Sequence, residues 1–262
     1  MAIGAPIPQT AVSGGGLSGI LYKRLLQGKR WSKREVDWLH DYTPRPYSMT
    51  PVFTNEQLTG MRFGVLSDRA YMLLHEAWQQ AIQQGMRLRL GRYEFVPTYL
   101  HCHQGRGFAE LQENSGAAEM TLHFLSPTAF KQGDDAKGKP MLQLLPVPRN
   151  VFTSLFRAWQ AYAPPPQQLP EAWLDWCARH ILVSRHEIQT ATFAIKHKSP
   201  TTFAMKQQLY LGFVGNVSFE ARDNHKEYRQ IWHALGQFAP FCGVGTKRAI
   251  GLGAVDYVVR SR

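Results

Sequence analysis

The stretch Gly243-Val244-Gly245-Thr246-Lys247-Arg248-Ala249-Ile250-Gly251-Leu252-Gly253 sets two Gly-apolar-Gly steps around five residues, two of them cationic. Glycine permits close backbone approach and positive φ, so successive amides can turn outward as an anion cradle. With Lys247 and Arg248 added, such a loop suits a polyanion lying along the protein, and a nucleic-acid backbone is the obvious candidate. The spacing is not that of a nucleotide fingerprint. The third glycine comes too late for Gly-x-Gly-x-x-Gly, and no Gly-Lys-Ser/Thr follows. The plainer reading is a tight helix-to-strand connection, for which two glycines would suffice where four are present.

Two other patterns invite chemistry. His101-Cys102-His103 sets two histidines two apart, on one face if the segment is a strand, but no second pair with ligand spacing accompanies it. A structural or surface role is the simpler reading, and no metal is expected. No Gly-x-Ser-x-Gly elbow supports a serine hydrolase.

The whole chain sets bounds on these readings. At 262 residues, 44% hydrophobic and 19% charged, it is globular and long enough for two domains. Its formal net charge of +11 suggests a polyanionic partner. Residues 1–125 carry 13 Lys+Arg against 10 Asp+Glu, a net of +3, and residues 126–262 carry 17 against 9, a net of +8. No long apolar span or basic amphipathic anchor points to a membrane. Three scattered cysteines and no signal-peptide pattern fit a reducing cytoplasm.

The elements that must position these groups follow from periodicity. Ala2-Ile3 and Ala11-Val12 offer a weak first strand, and Leu17 to Leu26 reads as a helix. Ser32 with Glu35 makes a capping box for a second helical piece ending near His40. Tyr47 to Phe53 and Met61 to Leu66 read as strands. A helix opens at Asp68 and is stopped by Gly85, and Arg87 to Leu90 and Tyr93 to Val96 return to strand. Met120 to Leu125 is a strand, Gly133 to Lys139 a mobile polar loop, and Asn150 caps a helix through Trp159. Glu171 to His180 is helical. Ile188 to Ile195 and Leu209 to Phe219 are strands, with a turn at Gly215-Asn216. Asn224 with Glu227 caps the helix feeding the glycine loop, and Val255 to Val259 closes the sheet. Each half therefore reads βαββαβ, giving an α+β chain of two tandem ferredoxin-like domains, 1–110 and 111–262, with a C-terminal glycine-rich loop.

The residues also match a known family. Ser126-Pro127-Thr128-Ala129-Phe130, Leu145-Pro146-Val147-Pro148, Gly212-Phe213-Val214-Gly215-Asn216-Val217 and Phe238-Ala239-Pro240-Phe241-Cys242-Gly243 lead into the glycine loop. In the first half, Trp38-Leu39-His40-Asp41 precedes Tyr47-Ser48-Met49-Thr50-Pro51-Val52-Phe53. The chain resembles the CRISPR-associated repeat-processing endoribonucleases of the repeat-associated mysterious protein superfamily. That resemblance implies paired ferredoxin-like domains that bind CRISPR repeat RNA and cut precursor transcripts into guide RNAs without metal or cofactor. The cut is made by the RNA's own 2′-hydroxyl and leaves a 5′-hydroxyl and a 2′,3′-cyclic phosphate.

His40 matches the family's histidine beyond its first helix, and histidine serves as acid or base near neutral pH. A histidine there also gains from the helix C-terminus, whatever its chemistry. Tyr22 corresponds to a tyrosine that donates to the phosphate or positions the nucleophile in some relatives; a core aromatic is the alternative. The family's usual lysine is missing between Asp41 and Phe53, where only Arg45 stands, with Lys29 and Lys33 as substitutes. Arginine stabilises phosphoryl charge but rarely donates a proton. The RNA track is expected to use Gly243, Gly245, Thr246, Lys247, Arg248, Gly251, Gly253, Lys196, Lys198 and Arg149. Arg185, His186, His197, Lys206 and Arg222 extend it. The rival functions are a repeat-RNA-binding subunit of a CRISPR effector complex that cuts weakly or not at all, and a general RNA-binding protein. The oligomeric expectation is a monomer or homodimer.

Overall fold

A computed structural model describes residues 6–27, 31–103, 105–198 and 205–258, without the side chains of 195–198 and 205–208. The strand expected at Ala2-Ile3, the Lys29 substitute and Val259 lie outside the described residues, as do the side chains of Lys196, His197, Lys198 and Lys206. The chain divides into two compact units. The first is Met1–Gln104, Phe193–Tyr210 and Ala249–Gly251; the second is Gly105–Thr192, Leu211–Arg248 and Leu252–Arg262. Neither is one continuous run of sequence, unlike the expected 1–110 and 111–262.

In the first unit, α1 (Gly14–Ile20) starts at Ser13, whose hydroxyl accepts from the Gly16 amide at 3.3 Å. Its apolar stripe of Leu17, Ile20, Leu21 and Leu25 is buried. Gly14 is needed because a Cβ would meet the Ile250 carbonyl oxygen at 2.7 Å, and one at Gly16 would press on the Leu90 side chain at 2.5 Å. The helix then widens into a π-turn, Leu21–Leu25, in which the Leu26 amide reaches back five residues to the Leu21 carbonyl. The Ser32–Glu35 capping box forms as expected and opens α2 (Lys33–Asp41). Strands β1 (Tyr47–Thr54) and β2 (Gln57–Val65) pair antiparallel, with Tyr47 opposite Val65. Helix α3 (Asp68–Gln83) follows, then a short hairpin of β3 (Leu88–Leu90) and β4 (Tyr93–Phe95).

The weak first strand at Ala11-Val12 is a correction: Gln9–Ala11 is a 3₁₀ turn. Among the described N-terminal residues, Ile7 and Gln9 bond the entry to β2, through Leu58 N–H to Ile7 O and Gln9 N–H to Glu56 O. Pro6 and Pro8 have no amide to extend that ladder. The pairs β1–β2 and β3–β4 therefore stay two separate two-stranded sheets among the described residues.

The second unit begins with the five-residue helix α4 (Phe108–Gln112) and β5 (Glu119–Thr128), which alternates cleanly, with Met120, Leu122 and Phe124 inward. β6 (Phe130–Asp134) and β7 (Pro140–Gln143) form a hairpin, followed by α5 (Pro148–Tyr162) and α6 (Ala172–His180). Two long strands, β8 (Ile181–Lys198) and β9 (Met205–Ala221), lead to α7 (Lys226–Cys242) and β10 (Val255–Val258). The sheet order is β10-β5-β9-β8. That is the 4-1-3-2 arrangement a βαββαβ chain adopts, and Trp159, Trp173 and Trp232 fill its core.

Four local expectations change here. The polar run after Gly133 is a closed turn: Asp135 accepts from the Lys137 and Lys139 amides at 2.8 Å each. Gly215-Asn216 is no turn but lies within β9, opposite Phe124 and His123. Its glycine is required because the Glu187 carbonyl oxygen passes 2.1 Å from where a Cβ would sit. Asn150 is not the cap of α5, which starts after Val147 on Pro148, proline being favoured at the first helical position. His225, not Asn224, caps α7 by accepting from the Tyr228 amide, while Asn224 bonds Arg229.

Candidate active site

The first unit gathers His40, Tyr22 and Arg45, joined by Asp41 and Tyr47. The capping box fixes where α2 starts, and nine residues later the helix ends with His40 and Asp41 in its last turn. His40 is exposed, its side chain 47% accessible. Its Nδ1 lies 2.5 Å from Asp41 Oδ1, and the Tyr22 ring meets it edge-on, centroids 4.8 Å apart at 84°. Arg45 Nε donates to the His40 carbonyl at 2.7 Å. A cis Thr43–Pro44 peptide stands between them.

Tyr22 is brought up by the π-turn, and its hydroxyl does not point outward. It donates to the Leu39 carbonyl at 3.1 Å, which leaves Tyr47 as the donor in their 2.7 Å contact. The Arg45 charge beside Tyr47 works against the rise that burial gives that phenol. The chain of donors Tyr47, Tyr22, ending on the Leu39 carbonyl, gives each phenol an acceptor in order. Burial pushes both phenols above the ordinary tyrosine value, and the neighbouring phenol adds to the rise at Tyr22. Tyr22 is therefore a poor proton donor to a phosphate and a good support for the imidazole beside it. Sequence reasoning missed Asp41 and Tyr47. Adjacency to His40 was the available signal for Asp41; Tyr47 read only as a strand residue.

The glycine loop, whose residues fall partly in each unit, is built differently from expectation. The amides of Gly243, Val244, Gly245 and Thr246 do not face outward. They donate to Ala239 O, Gly253 O, Ser154 Oγ and Ala129 O. Gly253 N–H goes to Pro127 O and Ala254 N–H to Ser126 Oγ, so Ser126-Pro127-Thr128-Ala129 is the strand segment that the loop zips onto. Gly253, at φ +69°, would place a Cβ 2.1 Å from Val244 O. Arg248 turns back, donating to Cys242 O at 2.9 Å, where it offsets the C-terminal end of α7. Lys247 is exposed at φ +63°. Gly251 sits at φ +104°, Thr246 adds a hydroxyl bond to Ala129 O, and Arg149 is exposed in the first turn of α5.

His101 and His103 do approach, ring centroids 4.4 Å apart, but among the described residues no three His, Cys, Asp or Glu side chains form a metal-binding group. All three cysteines are free; burial pushes the Cys177 and Cys242 thiols up to about 12, far from a reactive thiolate. No helix among the described residues is long and apolar enough to cross a membrane.

Residues 122–255 match the family model of the CRISPR-associated endoribonuclease Cas6. The chain belongs to that Cas6 family. Curated relatives named CRISPR-associated endoribonuclease Cas6, from Mycobacterium tuberculosis strains CDC 1551 / Oshkosh and ATCC 25618 / H37Rv, are each 24% identical over 225 residues. The match covers 84% of this chain, and spans 65% of those relatives' length. A Thermus thermophilus Cas6 (TTHB231) product complex superposes with a TM-score of 0.79 at 21% identity, covering 98% of this chain and 96% of that one. A second Cas6 product complex (TTHA0078) gives 0.73 at 25% identity, covering 97% and 94%. A Cas6-related protein from Pyrococcus furiosus gives 0.53 at 11% identity, over 98% and 93%. The Cas6 fold thus holds for the mixed α+β chain as a whole.

Proposed function

We propose that this chain is an endoribonuclease that binds CRISPR repeat RNA and cleaves precursor transcripts into guide RNAs, with His40 as its acid–base group. The observation that carries the reading is the His40 constellation itself. In a chain of the Cas6 family, an accessible imidazole is braced by Asp41, by the Tyr22 ring and by Arg45 at its own carbonyl. The reaction is an in-line displacement. The 2′-oxygen bonds phosphorus as its proton is taken up, and the bond to the 5′-oxygen breaks as that oxygen receives a proton. A 2′,3′-cyclic phosphate and a 5′-hydroxyl remain. Each proton transfer needs one positioned group and neither needs a metal, so the proposal is metal-independent cleavage. Arg45 supplies positive charge for the phosphoryl oxygens, and Tyr22 holds the ring.

The tandem ferredoxin-like reading, the track through Lys247, Arg149, Lys196 and Lys198, a cytoplasmic setting and delivery of the product to an effector complex complete the proposal. The fixed Tyr22 hydroxyl leaves His40 the one ready proton carrier of the three expected catalytic residues. That favours, as a second reading, a repeat-binding subunit that cuts slowly.

The test is cleavage of the cognate repeat RNA in excess EDTA by the wild-type protein and His40→Ala. A single cut with a 5′-hydroxyl end, reduced at least ~10²-fold in the variant with binding retained, is the expected outcome. Cutting that requires added metal would overturn the chemistry, and tight binding without cutting would select the second reading.

A further inference from the structure

The His40–Asp41 contact carries more than an orientation. We propose that Asp41 is the positioning residue that fixes the tautomer of His40, leaving Nε2 as the nitrogen that meets RNA. The inference rests on the function just proposed. A carboxylate only accepts, so the 2.5 Å approach of Asp41 Oδ1 requires hydrogen on Nδ1. Nε2 of the neutral ring then carries its lone pair, ready to take the 2′-hydroxyl proton. In the imidazolium the same nitrogen holds the hydrogen that passes to the 5′-oxygen. Both roles use Nε2 without the Nδ1 bond breaking.

The rest of the constellation makes that fixing effective. The Tyr22 ring closes one side of the imidazole, and Tyr22 is itself tied to the Leu39 carbonyl and to buried Tyr47. Arg45 holds the His40 carbonyl from the far side of the turn. With the backbone and one ring edge secured, the remaining freedom is rotation about the side chain and the choice of tautomer, and Asp41 removes both. Its side chain is 72% accessible, so replacing it leaves the core of the unit untouched.

The experiment uses the full chain with ¹⁵N-labelled histidine, the His40 signals being assigned by their loss in His40→Ala. Ring nitrogen shifts report the tautomer, and single-turnover cleavage of the repeat RNA reports the chemistry. In the wild type, neutral His40 is expected to show hydrogen on Nδ1. Asp41→Ala should lose that preference and cleave about tenfold more slowly with unchanged RNA affinity, a part of the roughly 10²–10⁴-fold that a positioned acid–base group supplies. Asp41→Asn keeps an accepting oxygen and should retain the tautomer and most of the rate. Asp37→Asn, an exposed carboxylate on the same helix, should leave both unchanged. An unaltered tautomer or rate in Asp41→Ala would overturn the proposal, and so would an Asp41→Asn as slow as Asp41→Ala with its tautomer intact. Should the wild type bind repeat RNA without cutting it, the function reading fails, while the nitrogen shifts still decide for or against the hold of Asp41 on His40.

Discussion

At the scale of single residues, the hydroxyl of Tyr22 is the point where structure and family expectation part. A phenol free to donate to phosphate would lose most of its contribution on replacement by phenylalanine. A phenol spent on Leu39 and Tyr47 would not. Tyr22→Phe should therefore slow single-turnover cleavage by less than about tenfold while costing about 1–2 kcal/mol of stability, since the Tyr47 hydroxyl loses its acceptor in a buried place. Tyr22→Ala, which also removes the ring from His40, should slow cleavage further. Denaturant titration beside single-turnover rates separates the two effects, and a hundredfold loss in Tyr22→Phe at wild-type stability would return Tyr22 to direct chemistry. His40, Tyr22 and Arg45 could be named from sequence because their types and order match a family. Asp41 and Tyr47 could not, because their importance lies in what their oxygens face, and hydrogen-bond partners leave no trace in residue type.

Elements were legible where local rules decide them. The Ser32–Glu35 box, the stop at Gly85 and the inward alternation of β5 are each set by neighbours within four residues. They failed where the deciding contact comes from far along the chain. Gly215 resembles a turn glycine and is demanded instead by the Glu187 backbone, and Asn150 and Asn224 have the chemistry of caps but lose the position to Val147 and His225. The glycine loop is the fullest case. Three of its four glycines serve backbone-to-backbone packing, with Gly243 close to Gly253 O, Gly245 close to Ala129 O and Gly253 close to Val244 O. Gly253→Ala should therefore cost more than about 3 kcal/mol, combining a left-handed backbone with an atom clash. Gly138→Ala, at φ +71° with nothing within 4 Å, should cost only about 1 kcal/mol. Equal losses in denaturant titrations would refute the packing account. Loss of RNA binding in a loop variant is thus informative only beside its stability.

For the molecule as a whole, the charge of +11 is the property that composition reports directly. Binding to RNA should weaken steeply with salt, by about 0.7 logarithmic units per tenfold salt for every phosphate contact on a single strand. Lys247→Ala should flatten that slope by about one contact and weaken repeat and scrambled RNA alike, since an exposed lysine reads charge and not bases. Filter binding over a range of potassium chloride measures both; a Lys247→Ala slope equal to the wild type would remove it from the track. Two units could be expected from length and from the repeated element order. Their interleaving could not, because periodicity identifies a strand or helix without saying which core it joins.

That interleaving bears on how the protein comes into being. The first unit takes Phe193–Tyr210 and Ala249–Gly251 from late in the chain, and Ala249 is buried in the same core as Leu17, Leu39 and Tyr47. At roughly 5–20 residues per second of synthesis, several seconds separate the emergence of Gln104 from that of Ala249. Throughout that interval the half that carries His40 is a nascent chain awaiting its last pieces. A fragment ending near residue 110 therefore lacks Ala249 from that core, and should be less stable than the whole chain.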